Sequence, residues 1–118
     1  MQVEQLYLRD IVEAADAIAG FLNGVDRTSF LEDAEKKSAI AFQFTVIGEA
    51  VRNLPDDLKR RYPDIAWTNA RALRNLITHR YFAIDWTIIF DTAVTAIPNL
   101  RQQIASILAN EYPEDAEQ

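Results

Sequence analysis

The 118-residue chain has no cysteine, one methionine, one histidine and three glycines. Each scarcity removes a class of chemistry. Without thiols there is no disulfide frame, no thiolate zinc site and no cysteine nucleophile, and a single histidine cannot make a two-histidine metal clasp within one chain. The close acidic pairs, Glu32-Asp33 and Asp56-Asp57, are adjacent in sequence and diverge on a helix, a poor start for carboxylate-bound magnesium. No metal or other cofactor is therefore expected, and no glycine-rich phosphate loop occurs. No run of about 18 apolar residues is present. The opening Met1-Gln2-Val3-Glu4-Gln5 lacks the basic-then-apolar order of a signal peptide, so a cytoplasmic protein without membrane contact is expected.

What the chain does have is apolar content, 49% of residues, and a net charge of -6 that is unevenly placed. This length and composition suit one domain with a real core. The net charge argues against a nucleic-acid partner, because phosphate binding leaves a basic footprint. Yet the stretch from Arg52 to Arg80 carries Arg52, Lys59, Arg60, Arg61, Arg71, Arg74 and Arg80 against Asp56, Asp57 and Asp64, a local excess of +4, which leaves the remainder at -10. By itself such a stretch reads as a solvated charged surface.

Apolar residues recur at helical spacing along most of the chain. Val3, Leu6, Tyr7, Ile11, Ala14, Ile18 and Phe21 predict a first helix over 3–22, ended by Asn23-Gly24. Ser29 and Glu32 have capping-box spacing for a short second helix. From Glu35 to Leu54, the stripe Ile40, Phe44, Ile47, Val51 and Leu54 runs beside a second stripe of Ala39, Phe42, Val46 and Ala50. A helix apolar over so much of its circumference needs cover on two sides, from its own bundle and from a second subunit. Pro55 stops it. Residues 56–67 predict a connector with one polar helical turn, pinned to the core by Ile65 and Trp67. Thr68 is placed to cap a helix running to about Arg80. Asp85 is placed to cap a last helix that Pro98 should bend. The expected fold is all-α, an antiparallel bundle of four to five helices over 1–112, followed by a frayed acidic tail at 113–118.

The segment RNLITHRY, Arg74 to Tyr81, gathers the single histidine, two arginines and a tyrosine within two turns, at the centre of the basic stretch. On a straight helix Arg74 and His79 point about 140° apart, whereas Arg74 and Tyr81 lie within about 20° of each other. Arg71, Asn75 and His79 form a separate ridge, on which Asn75 is placed to hold the His79 ring in one tautomer. Metal-free RNA cleavage needs a base for the 2′-hydroxyl proton, an acid for the leaving 5′-oxygen and positive charge for the phosphorane. One histidine cannot be base and acid at once, so a two-fold dimer with a shared groove is the arrangement this chemistry asks for.

The chain resembles HepT proteins of the HEPN superfamily, whose signature is Arg, four residues, His, one residue, Tyr. Arg74, His79 and Tyr81 match it position for position. The likeness extends over YLRDIVEA near the start, VIGEAVRNLP at Val46 to Pro55, YPDIAW at Tyr62 to Trp67 and RNLITHRYFAID at Arg74 to Asp85. It implies a dimerising helical bundle with metal-independent ribonuclease activity, Arg74 and His79 as the catalytic pair, and a toxin role. It also implies an antitoxin partner, a minimal nucleotidyltransferase that transfers AMP onto Tyr81. Arg71, Asn75 and Arg80 are then supporting or RNA-binding positions. Many relatives carry aspartate where this chain has Arg80, which bears on RNA affinity or antitoxin contacts. Two other readings stay open on the residues alone. One is a non-catalytic helical partner that docks a nucleotidyltransferase or presents nucleotide to it, with Arg74 and His79 as a phosphate clamp. The other is a purely structural bundle with a core histidine.

Overall fold

In the computed structural model, which describes residues 2–78 and 83–113, the helix pattern becomes α1 Val3–Leu22, α2 Arg27–Leu31, α3 Ala34–Asn53, α4 Asp56–Arg61, α5 Trp67–Arg71, α6 Leu73–Thr78, α7 Trp86–Val94 and α8 Ala96–Glu111. Among the described residues there is no strand, and the fold is all-α as expected. Residues 79–82 and the acidic tail from 114 onward lie outside the description.

The helix ends follow local chemistry. α1 stops at Leu22, and Gly24 takes the left-handed conformation, φ 73°, that glycine adopts without steric cost. The cap of α2 differs from expectation: Asp26, not Ser29, is the N-cap, and its carboxylate accepts from the Ser29 amide at 2.8 Å. An acceptor placed before the first turn satisfies an orphan N–H, and aspartate does this as well as serine. Asp33 caps α3 through the Lys36 amide at 3.0 Å. Leu54, held extended by the proline after it, ends α3. Asp85 caps α7 through the amides of Thr87 and Ile88, as its position predicts.

Two expected helices are interrupted. Pro98 was expected to bend a single helix; instead the chain breaks at Thr95, where φ is -116° and ψ -66°. Proline at position 98 offers no N–H to the Val94 carbonyl four residues back, and its ring crowds that turn. Likewise, the expected helix capped by Thr68 and running to about Arg80 starts two residues earlier and breaks at Ala72. Thr68 lies inside α5, with Ala66 as a cap that makes no side-chain hydrogen bond. At the break the Asn75 amide donates to the Ala72 carbonyl at 2.9 Å, a tight three-residue step.

The core is built on α3. It packs against α1 on one side and against α5 and α6 on another, while α2 covers its start and α8 lies on α1. Ile40, Phe44, Ile47, Val51 and Leu54, the predicted core stripe, are all buried, together with Leu8, Ile11 and Ile18 of α1 and Ile104 and Ile107 of α8. Burying each such side chain contributes about 1.5–3 kcal/mol, enough to fix the register of these helices. Phe30 of α2 packs its ring against Trp86 and Phe90 of α7, which ties the two short elements together. The second stripe of α3 divides: Ala50 is buried within the chain, whereas Phe42 is 64% exposed. The connector before α5 is pinned as predicted. Ile65 is buried, and the Trp67 indole N–H donates to the carbonyls of Tyr62 at 3.0 Å and Lys59 at 3.2 Å. No described helix is long and apolar enough to cross a membrane.

Candidate functional site

A glycine sets the position of the basic residues. A Cβ placed on Gly48, in the middle of α3, would lie 2.9 Å from both Cβ and N of Arg74 and 3.1 Å from the carbonyl oxygen of Arg71. No ordinary side chain fits that gap, so glycine lets the backbone at the α5–α6 break lie directly on α3. The step at Ala72 presents the Arg71 carbonyl and the Arg74 amide to the same point. As a result two arginines leave the backbone at the surface of α3 rather than a side chain's length away from it.

Around this contact Arg52, Arg71, Arg74 and Asn75 line a polar concavity of ≈ 240 Å³ with Gly48 at its floor. Glu49, the next residue of α3, orders it: its carboxylate lies 2.6 Å from Arg74 Nε and 3.6 Å from a terminal nitrogen of Arg52. Two of the three guanidinium groups that line this recess share the Glu49 carboxylate, and guanidinium groups gathered in a recess are the arrangement that attracts a phosphodiester. The pairs are partly solvated, with the Arg74 side chain 45% exposed, so Glu49 orients Arg74 more than it neutralises it. Arg74 meets the carboxylate through Nε.

Of the residues singled out in the sequence, Arg71, Arg74 and Asn75 come together here. Of the ridge expected on a straight helix, Arg71 and Asn75 both line this concavity, although the helix breaks at Ala72 between them. His79, Arg80 and Tyr81 lie outside the described residues. Gly48 and Glu49 have no individual role in the sequence reading, and Arg52 enters it only as charge. An isolated glycine inside a strongly periodic helix is the available signal, since it costs helix stability and so points to a packing reason.

Comparison with known proteins agrees with the resemblance carried by these segments. A family profile described as ribonuclease HepT-like matches residues 11–107. A protein of Methanocaldococcus jannaschii named as a candidate RNase is 36% identical over 109 residues, 92% of this chain and 90% of its own length. A probable ribonuclease HepT of Thermococcus cleftensis is 35% identical over 95 residues, 80% of this chain and 86% of its own. A candidate RNase of Caldanaerobacter subterraneus is 28% identical over 111 residues, 94% of this chain and 99% of its own. No solved structure gives a significant match.

Proposed function

The chain belongs to the HepT-like ribonuclease family, and we propose from that membership and from the arginine concavity that it is a metal-independent endoribonuclease acting as the toxin of a toxin–antitoxin pair. The observation that carries the reading is the gathering of Arg52, Arg71 and Arg74 over Gly48, with Arg74 oriented by Glu49. A phosphodiester in that recess meets fixed positive charge, and charge fixed beforehand favours the phosphorane, whose oxygens carry more negative charge than the ground state. His79, five residues beyond Arg74, takes the proton of the 2′-hydroxyl as that oxygen attacks phosphorus. The bond to the 5′-oxygen breaks, leaving a 2′,3′-cyclic phosphate and a 5′-hydroxyl. The proton for the departing oxygen comes from His79 of a second copy in a homodimer, since one imidazole cannot serve both ends of the step at once. Control comes from a minimal nucleotidyltransferase that adenylylates Tyr81, adding bulk and a negative phosphodiester beside the arginines and so opposing RNA without refolding the bundle.

The test is cleavage of labelled RNA by pure protein with a chelator present, wild type against His79→Ala. Loss of a general acid or base should lower the rate about 10²- to 10⁴-fold with helical content retained. RNA that is bound but left whole by the wild type would overturn catalysis and leave a non-catalytic phosphate clamp. Co-expression with the nucleotidyltransferase followed by intact-mass measurement should show AMP additions that disappear in Tyr81→Phe. Additions mapped to Tyr7, Tyr62 or Tyr112 would overturn the control step.

A further inference from the structure

The other side of α6 holds a second recess of different chemistry. At about 100° per residue, Leu73 and Leu76 point some 180° from the mean direction of Arg74 and Asn75, and they open onto a cavity of ≈ 360 Å³ between α5–α6 and α7–α8. Leu100 of α8 joins them in its walls, while Asn69 of α5 and Asn99 and Gln103 of α8 supply carboxamides and Thr92 of α7 a hydroxyl. Among the described residues no charged side chain lines it. Asn99 and Gln103 are four residues apart and therefore share a face of α8. Among the described residues none of these three amides makes a side-chain hydrogen bond. Leu76, at the lip, is 40% exposed.

These features define the ligand by elimination. A charged group would lose its hydration without an ionic partner, so phosphate and carboxylate ligands do not fit. A purely apolar ligand would leave the amides without a use. A carboxamide offers a donor and an acceptor side by side, which matches the edge of a nucleobase, and the leucines offer apolar surface to its faces. The volume falls in the range of small-ligand cavities and is too small for a packed helix. The recess also shares α6 with the arginine concavity, so a single strand crossing that helix would set its backbone on one side and a base on the other.

We propose that this cavity is a nucleobase subsite of the bound RNA, and that the base it accepts sets where the strand is cut. The proposal rests on the ribonuclease reading for its substrate, but not for its test. Binding of labelled 2′-O-methyl hexanucleotides of A, C or U, and of the same backbone carrying abasic positions, is measured by fluorescence anisotropy. These probes lack the attacking hydroxyl and stay whole. For the wild type, one base should bind about 10-fold or more tighter than the abasic strand, within the range a single base contact contributes. Asn99→Ala with Gln103→Ala should reduce that ratio to within about 3-fold, and Asn69→Ala, on a separate element, should move it in the same direction. Alanine raises helix propensity at these positions, so the bundle is retained. Arg71→Ala should weaken all probes by one common factor. An unchanged base ratio in both amide variants overturns the subsite, as does equal wild-type affinity for abasic and base-bearing strands. So does a change of sedimenting mass in the variants without a change of ratio, because the recess would then be packing a second copy. Base discrimination that follows the amides in a protein that cuts no RNA would support the subsite while ending the nuclease reading.

Discussion

Two arginine clusters sit on this molecule, and they differ in charge balance. At the junction of α4 and the end of α8, Arg61 lies between two acids: it reaches Glu111 at 2.6 Å and 3.2 Å and Asp57 at 3.0 Å. Its hydrogen bonds with Glu111 push the guanidinium pKa further up and hold the Glu111 carboxyl below its ordinary range. That cluster is satisfied from within. Around Gly48, by contrast, Arg52 and Arg74 share the Glu49 carboxylate, and Arg71 lines the same recess. Counting the basic residues of 52–80 as one patch merges the two clusters. The structure separates an arginine held between two acids from arginines that line a recess.

The largest expected difference is catalytic. Arg74→Ala should lower RNA cleavage about 10²- to 10³-fold, the usual loss on removing one donor from a developing oxyanion. Arg61→Ala should leave the rate within about two-fold, because its charge is already spent on Glu111 and Asp57. Equal losses in the two variants would mean that the clusters act together and that the distinction is false.

Next in size is the contact that places the open cluster. Gly48→Ala forces a methyl group to within 2.9 Å of the Arg74 backbone. Overpacking of this kind costs about 1–3 kcal/mol and should lower the melting temperature by roughly 4–10 °C, together with cleavage activity. Gly20, in the other 20-residue helix, has nothing within 4 Å of its Cβ position. Gly20→Ala should raise stability by about 0.4–1 kcal/mol. Thermal denaturation of the pair reads both effects. A neutral Gly48→Ala would show that α6 moves aside freely and that Arg74 is not held by this contact.

A smaller effect separates the clusters through salt. If Arg71 neutralises one phosphate, Arg71→Ala should reduce the slope of log affinity against log salt by about 0.7 for a single strand. Arg61→Ala should leave the slope unchanged. Titrations at several salt concentrations would break the comparison if both variants lowered the slope alike.

Much of this fold is legible in the sequence, for a physical reason. α1, α3 and α8 bury a face at regular spacing, and burial leaves a periodic trace: the whole predicted stripe from Ile40 to Leu54 is core. Pro55 and Asp85 act locally and can be read locally. The breaks at Ala72 and Thr95 were harder to read, because each is a compromise between helical continuity and a contact or missing donor elsewhere. Pro98 announces a distortion without saying whether the helix bends or parts. For the site, the charge excess was visible but its geometry was not. Arg74 pairs with Glu49, 25 residues away, across a gap that exists only because residue 48 lacks a side chain.

The smallest prediction concerns pH and the satisfied cluster. The hydrogen bond from Arg61 is the main reason the Glu111 carboxyl titrates below its ordinary value of 4.5, with burial opposing it and the Tyr62 hydroxyl assisting. A carboxyl whose pKa is depressed on folding stabilises the folded state above the unfolded-state value and loses that contribution as pH falls through the folded value. At pH 7 the ion pair is therefore fully present, and Glu111→Gln should lower the melting temperature by only about 1–3 °C, because the Arg61 side chain is about half exposed and water screens the pair. As the pH falls through the folded-state value, which lies below 4.5, the wild-type carboxyl takes up a proton and becomes nearly the equal of glutamine, so the two melting curves should converge. RNA affinity should not differ between them at any pH where both are folded, since Glu111 and Arg61 lie outside the concavity lined by Arg52, Arg71 and Arg74. Melting temperatures measured every half unit from pH 7 to 3 test the first part, and RNA titration at pH 7 tests the second. A gap that widened towards acid would mean that the carboxyl is destabilised rather than stabilised on folding. Altered RNA affinity would mean that the closed cluster is also part of the binding surface.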